Sequence, residues 1–184
     1  MTTYDFLDGA GPVPAHQHSN GGGWVADSAQ VAASAFVGPN AKVFGYAVVF
    51  DNAKVYDNAE VYDNAGVYGH STVYDNAKVS GNAVVSGNAS VYDNARVYGN
   101  ASVYGAAKVF GNASVYGYAR VSGNALVYDN ARVSGNALVY GYASVFGNAD
   151  VCGNAVVGMC LDADPALRRI GMCLDAESLK IVPR

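Results

Sequence analysis

Long apolar runs are missing from this chain. No stretch approaches the ~18 consecutive apolar residues that a membrane-spanning helix needs, so no membrane segment is expected. Leucine and isoleucine are scarce although 51% of the residues are apolar; valine, alanine, tyrosine and glycine stand in their place. Basic residues are few, 11 against 15 acids, giving a net charge of −4. That balance lacks the basic surface that phosphate binding requires, so no nucleic-acid partner is expected. Cysteines number three, Cys152, Cys160 and Cys173, all in the last third and without a CxxC pair. An odd, clustered set excludes a disulfide framework or a zinc knuckle; free thiols, or a single Cys160–Cys173 bridge, remain. Met1 to Gly11 has no positive flank followed by an apolar run, so no secretory signal is expected and a cytoplasmic location is.

What is present is a repeat. Stepping by six from Val25 reaches valine at all 23 positions through Val157. An alanine follows four residues after each valine from Ala29 to Ala155, with Ser71 the exception. The unit reads as in Val55-Tyr56-Asp57-Asn58-Ala59-Glu60. Within it, Ala, a variable residue, Val and an aromatic or Ser alternate as a short strand does. Ala and Val then share an inward face, while the variable residue and the aromatic share the outward one. The Asp-Asn or Gly-Asn pair between strands is turn chemistry, because Gly, and less readily Asn, accepts positive φ. A core of Val and small Ala implies a narrow cross-section.

The run Val-x-x-Asn-Ala-x, from about Gly21 to Gly158, resembles the hexapeptide-repeat superfamily of left-handed parallel β-helices. That resemblance implies an all-β, triangular solenoid with three hexads per coil, about seven coils and a length of roughly 35 Å at ~4.8 Å per layer. Its left-handed sense is carried over from the family, since parallel crossovers are ordinarily right-handed. The entrance Gly21-Gly22-Gly23-Trp24-Val25 is similar to that of bacterial and phage solenoids of this type; if phage-encoded, the chain would be a virion component. The expected layout is an irregular lead and cap over 1–24, the repeat over 25–158 and a C-terminal cap over 159–184. Trp24 and Phe6 are expected to lie over the first coil's open end. Asp164-Pro165 and Gly171 bound a short capping helix, and Ser178–Val182 is a candidate final strand.

With three hexads per coil, residues eighteen apart form columns. One holds Tyr56, Tyr74, Tyr92, Phe110, Tyr128 and Phe146 without a gap, next to an unbroken asparagine column that includes Asn58, Asn76 and Asn94. Two readings stay open: ladders that stiffen the solenoid, or a flat aromatic strip that binds sugar rings or a partner protein. A second face is mildly basic, with Lys42, Lys78, Arg96 and Arg132. The third carries outward Val48, Val84 and Leu138, a candidate homo-oligomer interface, because a monomer seldom exposes a contiguous apolar patch. Asp57, Asp75, Asp93 and Asp129 share one corner column, where solvent screens them or a cation bridges them.

Enzymes of the resembled superfamily are mostly acyltransferases using a histidine base beside an extruded loop. The solenoid holds a single histidine, His70, in the hexad that replaces both Asn and Ala, followed by Ser71 and Thr72. It is the candidate general base of that alternative, although no coil carries an inserted loop. A three-histidine zinc site does not fit His16, His18 and His70, and the threonines Thr2, Thr3 and Thr72 cannot make an ice-binding row. No metal and no cofactor are expected. The leading reading is a non-enzymatic solenoid presenting rigid aromatic faces to a partner protein, a glycan or its own copies.

Overall fold

A computed structural model describes residues 2–160 and 171–172, and no helix occurs among them. The chain is an all-β parallel solenoid with one short strand per hexad, most of them two residues long. The strands fall into three sheets of ten, nine and seven members. Val25 lies in register with Val43, Val31 with Val49 and Val37 with Val55, so each turn of the coil visits all three sheets. The ten-stranded sheet stacks eight parallel strands from Trp24–Ala26 to Asp150–Val151.

The alternation read from the sequence places the core. Every repeat valine from Val37 to Val139 and every repeat alanine from Ala35 to Ala137 is 0% exposed. Ser71, which replaces one of those alanines, is equally buried, and its hydroxyl donates to the Tyr68 carbonyl at 2.7 Å. A buried hydroxyl with a partner is tolerated where an unpaired one is not. Burying each valine contributes ~1.5–3 kcal/mol, offset by the entropy of ordering the chain.

Each corner has a specific backbone. From Gly45 to Gly153, the second residue after every valine is Asp or Gly with φ between 54° and 73°. The sequence pointed to Gly and Asn for this role; in the Asp-Asn hexads it is the aspartate that turns. A Cβ here crowds the next coil: one built on Gly69 would stand 2.9 Å from the Gly87 carbonyl oxygen. Aspartate offsets that crowding because its carboxylate accepts the next coil's N–H, as Asp51 does from Gly69 and Asp93 from Gly111, both at 3.0 Å. The acidic column is therefore tied to backbone donors. In the first coil, where Asp27 and Ala33 do not adopt positive φ, the hydroxyls of Ser28 and Ser34 reach the carbonyls of Gly45 and Asp51 instead.

The lead is more ordered than an irregular cap. Val13–Gln17 pairs antiparallel with Trp24–Ala26, and Thr3–Tyr4 pairs antiparallel with Val13–Gln17, so one reversed strand and a second that runs with the sheet again cover its first edge. Gly23 donates to the Val37 carbonyl at 2.9 Å, and Val37 donates to that of Asn20 at 3.0 Å, which covers a second edge. The entrance glycines permit this approach, since a Cβ on Gly23 would overlap the Gly38 carbonyl. Trp24 and Phe6 do not roof the valine core. They belong to a separate apolar cluster with Tyr4 and Phe44, where Tyr4 stacks on Trp24 at 4.4 Å and Phe6 on Phe44 at 4.8 Å. At the other end Val156–Cys160 pairs antiparallel with Gly171–Met172, opposing Met159 and Met172 of the duplicated Met-Cys-Leu-Asp-Ala segments. The expected helix near Pro165–Ile170, the strand Ser178–Val182 and the Cys160–Cys173 bridge fall outside the described residues.

Val97 is fully buried, so Val97→Asp places an unpaired charge among valines and is expected to abolish cooperative thermal unfolding. Lys78→Ala removes an outward cation 2.7 Å from Glu60 and should cost no more than ~1 kcal/mol. Similar melting temperatures for the two variants would contradict the inward assignment.

Candidate functional site

The column from Tyr56 to Phe146 lies outside the seven-stranded sheet and is continuous. Successive rings sit 4.9–5.4 Å apart, with planes within 13° of parallel. The geometry follows from the backbone: each ring leaves a strand at the same register point, one strand spacing above the last. The rings therefore cover one another's faces and turn their edges and hydroxyls outward. At the adjacent corner the asparagines form an amide ladder, Asn58 to Asn76 at 3.3 Å, Asn76 to Asn94 at 3.4 Å and Asn112 to Asn130 at 3.3 Å. Sugar rings and flat partners bind aromatics through open faces, and inside this ladder those faces are occupied.

Packing also changes the phenols. Burial, then the neighbouring Tyr92, Tyr56, Asp75 and Asp93, push Tyr74 from 10.0 up to about 12, because the charged phenolate is disfavoured there. Tyr56 and Tyr92 are raised by the same desolvation and by flanking aspartates.

The other two faces interrupt their aromatic columns differently. On the ten-stranded sheet, Phe44 and Tyr62 stack at 5.0 Å and Tyr98 and Tyr116 at 5.0 Å, with Ser80 between the two pairs. On the nine-stranded sheet, Phe50 and Tyr68 are 6.5 Å apart and tilted by 38°, and serines alternate with tyrosines above them. There Tyr68 folds over Gly66, where a Cβ would overlap its ring. Val48, Val84 and Leu138 are each half-buried on this face, with Ser102 and Arg120 between Val84 and Leu138 in the column.

His70 is exposed at its corner, while Ser71 is buried and Thr72 donates to Ser90 at 3.0 Å. The His70 imidazole has no hydrogen-bond partner among the described residues, so nothing there orients it as a base. His16 lies 2.8 Å from Asp27, and His18 is buried with Nε2 3.1 Å from the Ala35 carbonyl. The three histidines do not converge, and no group of three or more His, Cys, Asp or Glu poised for a metal occurs among the described residues.

Sequence reasoning passed over Tyr46 and Tyr118, 71% and 64% exposed, which replace corner asparagines. Their signal was that substitution in an otherwise repeating unit.

The model of the YdcK Beta solenoid repeat family matches residues 77–93, 89–105, 119–133 and 131–147. Over these coils the chain is similar to that repeat. The matched segments cover about a third of the sequence and include ladder residues Tyr92, Tyr128 and Phe146. No curated protein and no solved structure matches the chain.

A tyrosine whose pKa is raised by folding stabilises the fold fully below its unfolded value and loses that contribution as pH climbs through the folded one. Stability is therefore expected to fall between pH 10.0 and about 12 as Tyr74 and its neighbours ionise. Phenolate absorbance should rise together with unfolding. Ionisation of Tyr74 with its midpoint near pH 10.0 in a still-folded protein would contradict the stacked ladder.

Proposed function

We propose that this chain is a non-enzymatic structural or binding module: a stiff, left-handed, triangular solenoid of the hexapeptide-repeat superfamily that holds outward side chains at fixed spacing. Its leading role is display to a partner protein or to its own copies. The observation that carries this reading is the unbroken ring stack from Tyr56 to Phe146 on a repeat that never extrudes a loop. Enzymes need a pocket that excludes water and orients a reacting group; this scaffold keeps its regularity instead. The ladder presents ring edges, phenol hydroxyls and aligned amides, which suits a polar partner surface better than a stacked glycan. The entrance glycines and the period of six support placement among bacterial or phage solenoids, where a virion location is one expectation.

The face around Val48, Val84 and Leu138 is the proposed contact between copies. Its side chains are half-buried already in one chain, and a second copy would remove the remainder from water. The alternative, acyl transfer with His70 as base, rests on the one hexad in which Asn and Ala are both replaced.

Sedimentation tests the display reading. The parent is expected to self-associate in a concentration-dependent manner, and Val84→Glu, placing a charge mid-patch, is expected to sediment as a monomer with an unchanged fold. A parent that stays monomeric at high concentration removes the homo-oligomer proposal. Acyl transfer from an acyl-CoA donor that His70→Ala abolishes would overturn the non-enzymatic reading.

A further inference from the structure

Open ring faces occur where an aromatic column is interrupted, and one interruption has the shape and charge of a binding site. Between Tyr62 and Tyr98 the column on the ten-stranded sheet holds Ser80, whose side chain ends at a hydroxyl and leaves one layer without a ring. Tyr62 and Tyr98 are two strand spacings apart, roughly 10 Å. One planar ring inserted there would lie a normal stacking distance from each tyrosine. The lower of the two is already backed by Phe44 and the upper by Tyr116, both at 5.0 Å, so the walls of the gap are held in place. Ser80 is half-buried, whereas Ser134, the next serine in the column, is only 7% exposed, so the gap at Ser80 is the open one.

The gap opens into a surface groove of about 650 Å³ that is flanked by Lys78, Arg96 and Arg132. Ligand sites commonly fall at ~300–1,000 Å³. Lys78 is engaged by Glu60 at 2.7 Å, while Arg96 and Arg132 pair with no carboxylate among the described residues. In a chain of net charge −4, this is a local concentration of cations beside a slot for a ring. We propose that the Ser80 gap binds a planar aromatic anion, its ring stacked between Tyr62 and Tyr98 and its carboxylate, sulfonate or phosphate group held by Arg96, one layer above, with Lys78 in the same layer as the ring. Guanidinium suits such oxyanions because its parallel N–H donors match their geometry. The site does not depend on the self-association proposed above, since it lies on a different sheet.

Naphthalene-2-sulfonate is a suitable probe, titrated calorimetrically at low ionic strength. Cyclohexanesulfonate supplies the charge without the flat ring, and naphthalene-2-sulfonamide supplies the ring without the charge. The parent should bind the first at least about tenfold more tightly than either control, because stacking and the charge-assisted contacts each supply part of the affinity. Ser80→Tyr fills the layer with a residue that the column already accepts on both sides, so it should melt at or above the parent temperature while losing the probe. Arg96→Ser, which copies the serine at Ser114 in the same column, should weaken binding about tenfold. Three results would each overturn the assignment: no binding by the parent at millimolar probe, equal binding of cyclohexanesulfonate, or unchanged affinity in both folded variants.

Discussion

The structure depends on the hydrogen bond from one coil to the next. Lys54 N–H donates to the Ser71 carbonyl, Tyr56 to Val73 and Asn58 to Asp75, and the same offset recurs along the solenoid. A strand of two residues has no stability alone; here each is held from above and below, so order propagates along one dimension. The bond also fixes what the side chains do. Once layers repeat at one strand spacing, every position of the eighteen-residue turn becomes a column, and each residue meets whatever occupies that position in the next layer. Valine and alanine columns make a dry core, asparagine columns make amide ladders, and tyrosine columns make stacked rings.

Much of this was legible in the sequence, because a period of six with alternating burial leaves few alternatives. Val97 and Ala95 inside and Arg96 outside follow from strand geometry alone. The direction of ring faces was not legible: Tyr74 could have lain flat as part of a strip, and the identity of its neighbours at one strand spacing turned it edge-outward. The corner role of Asp93 was hidden for a related reason. Its positive φ is stabilised by an N–H from Gly111, a partner eighteen residues away that the local dipeptide does not reveal. The strands of the lead were not legible because Pro12 and Pro14 read locally as breakers, whereas Pro14 still serves the ladder with its carbonyl, which accepts from the Asp27 N–H at 2.9 Å.

The three faces differ in how completely their aromatic columns are filled. The first is continuous, the second comes in pairs with a gap, and the third alternates with serine while tyrosines fold over glycines such as Gly66. A continuous stack spends its ring faces on internal rigidity. A gapped stack leaves faces free, and cations collect beside that gap. On so regular a scaffold, omission of a side chain is one means by which a concave site arises.

The whole solenoid requires columns that rise one layer per eighteen residues. Lys54 and Ser144 are both exposed on the seven-stranded sheet and belong to one column, five layers apart by the pairings that link them. Spin labels at these two positions should report a single narrow distance centred near 24 Å, five times the ~4.8 Å strand spacing. A broad distribution, or a centre displaced by more than the reach of the labels, would show that the chain does not coil with this period.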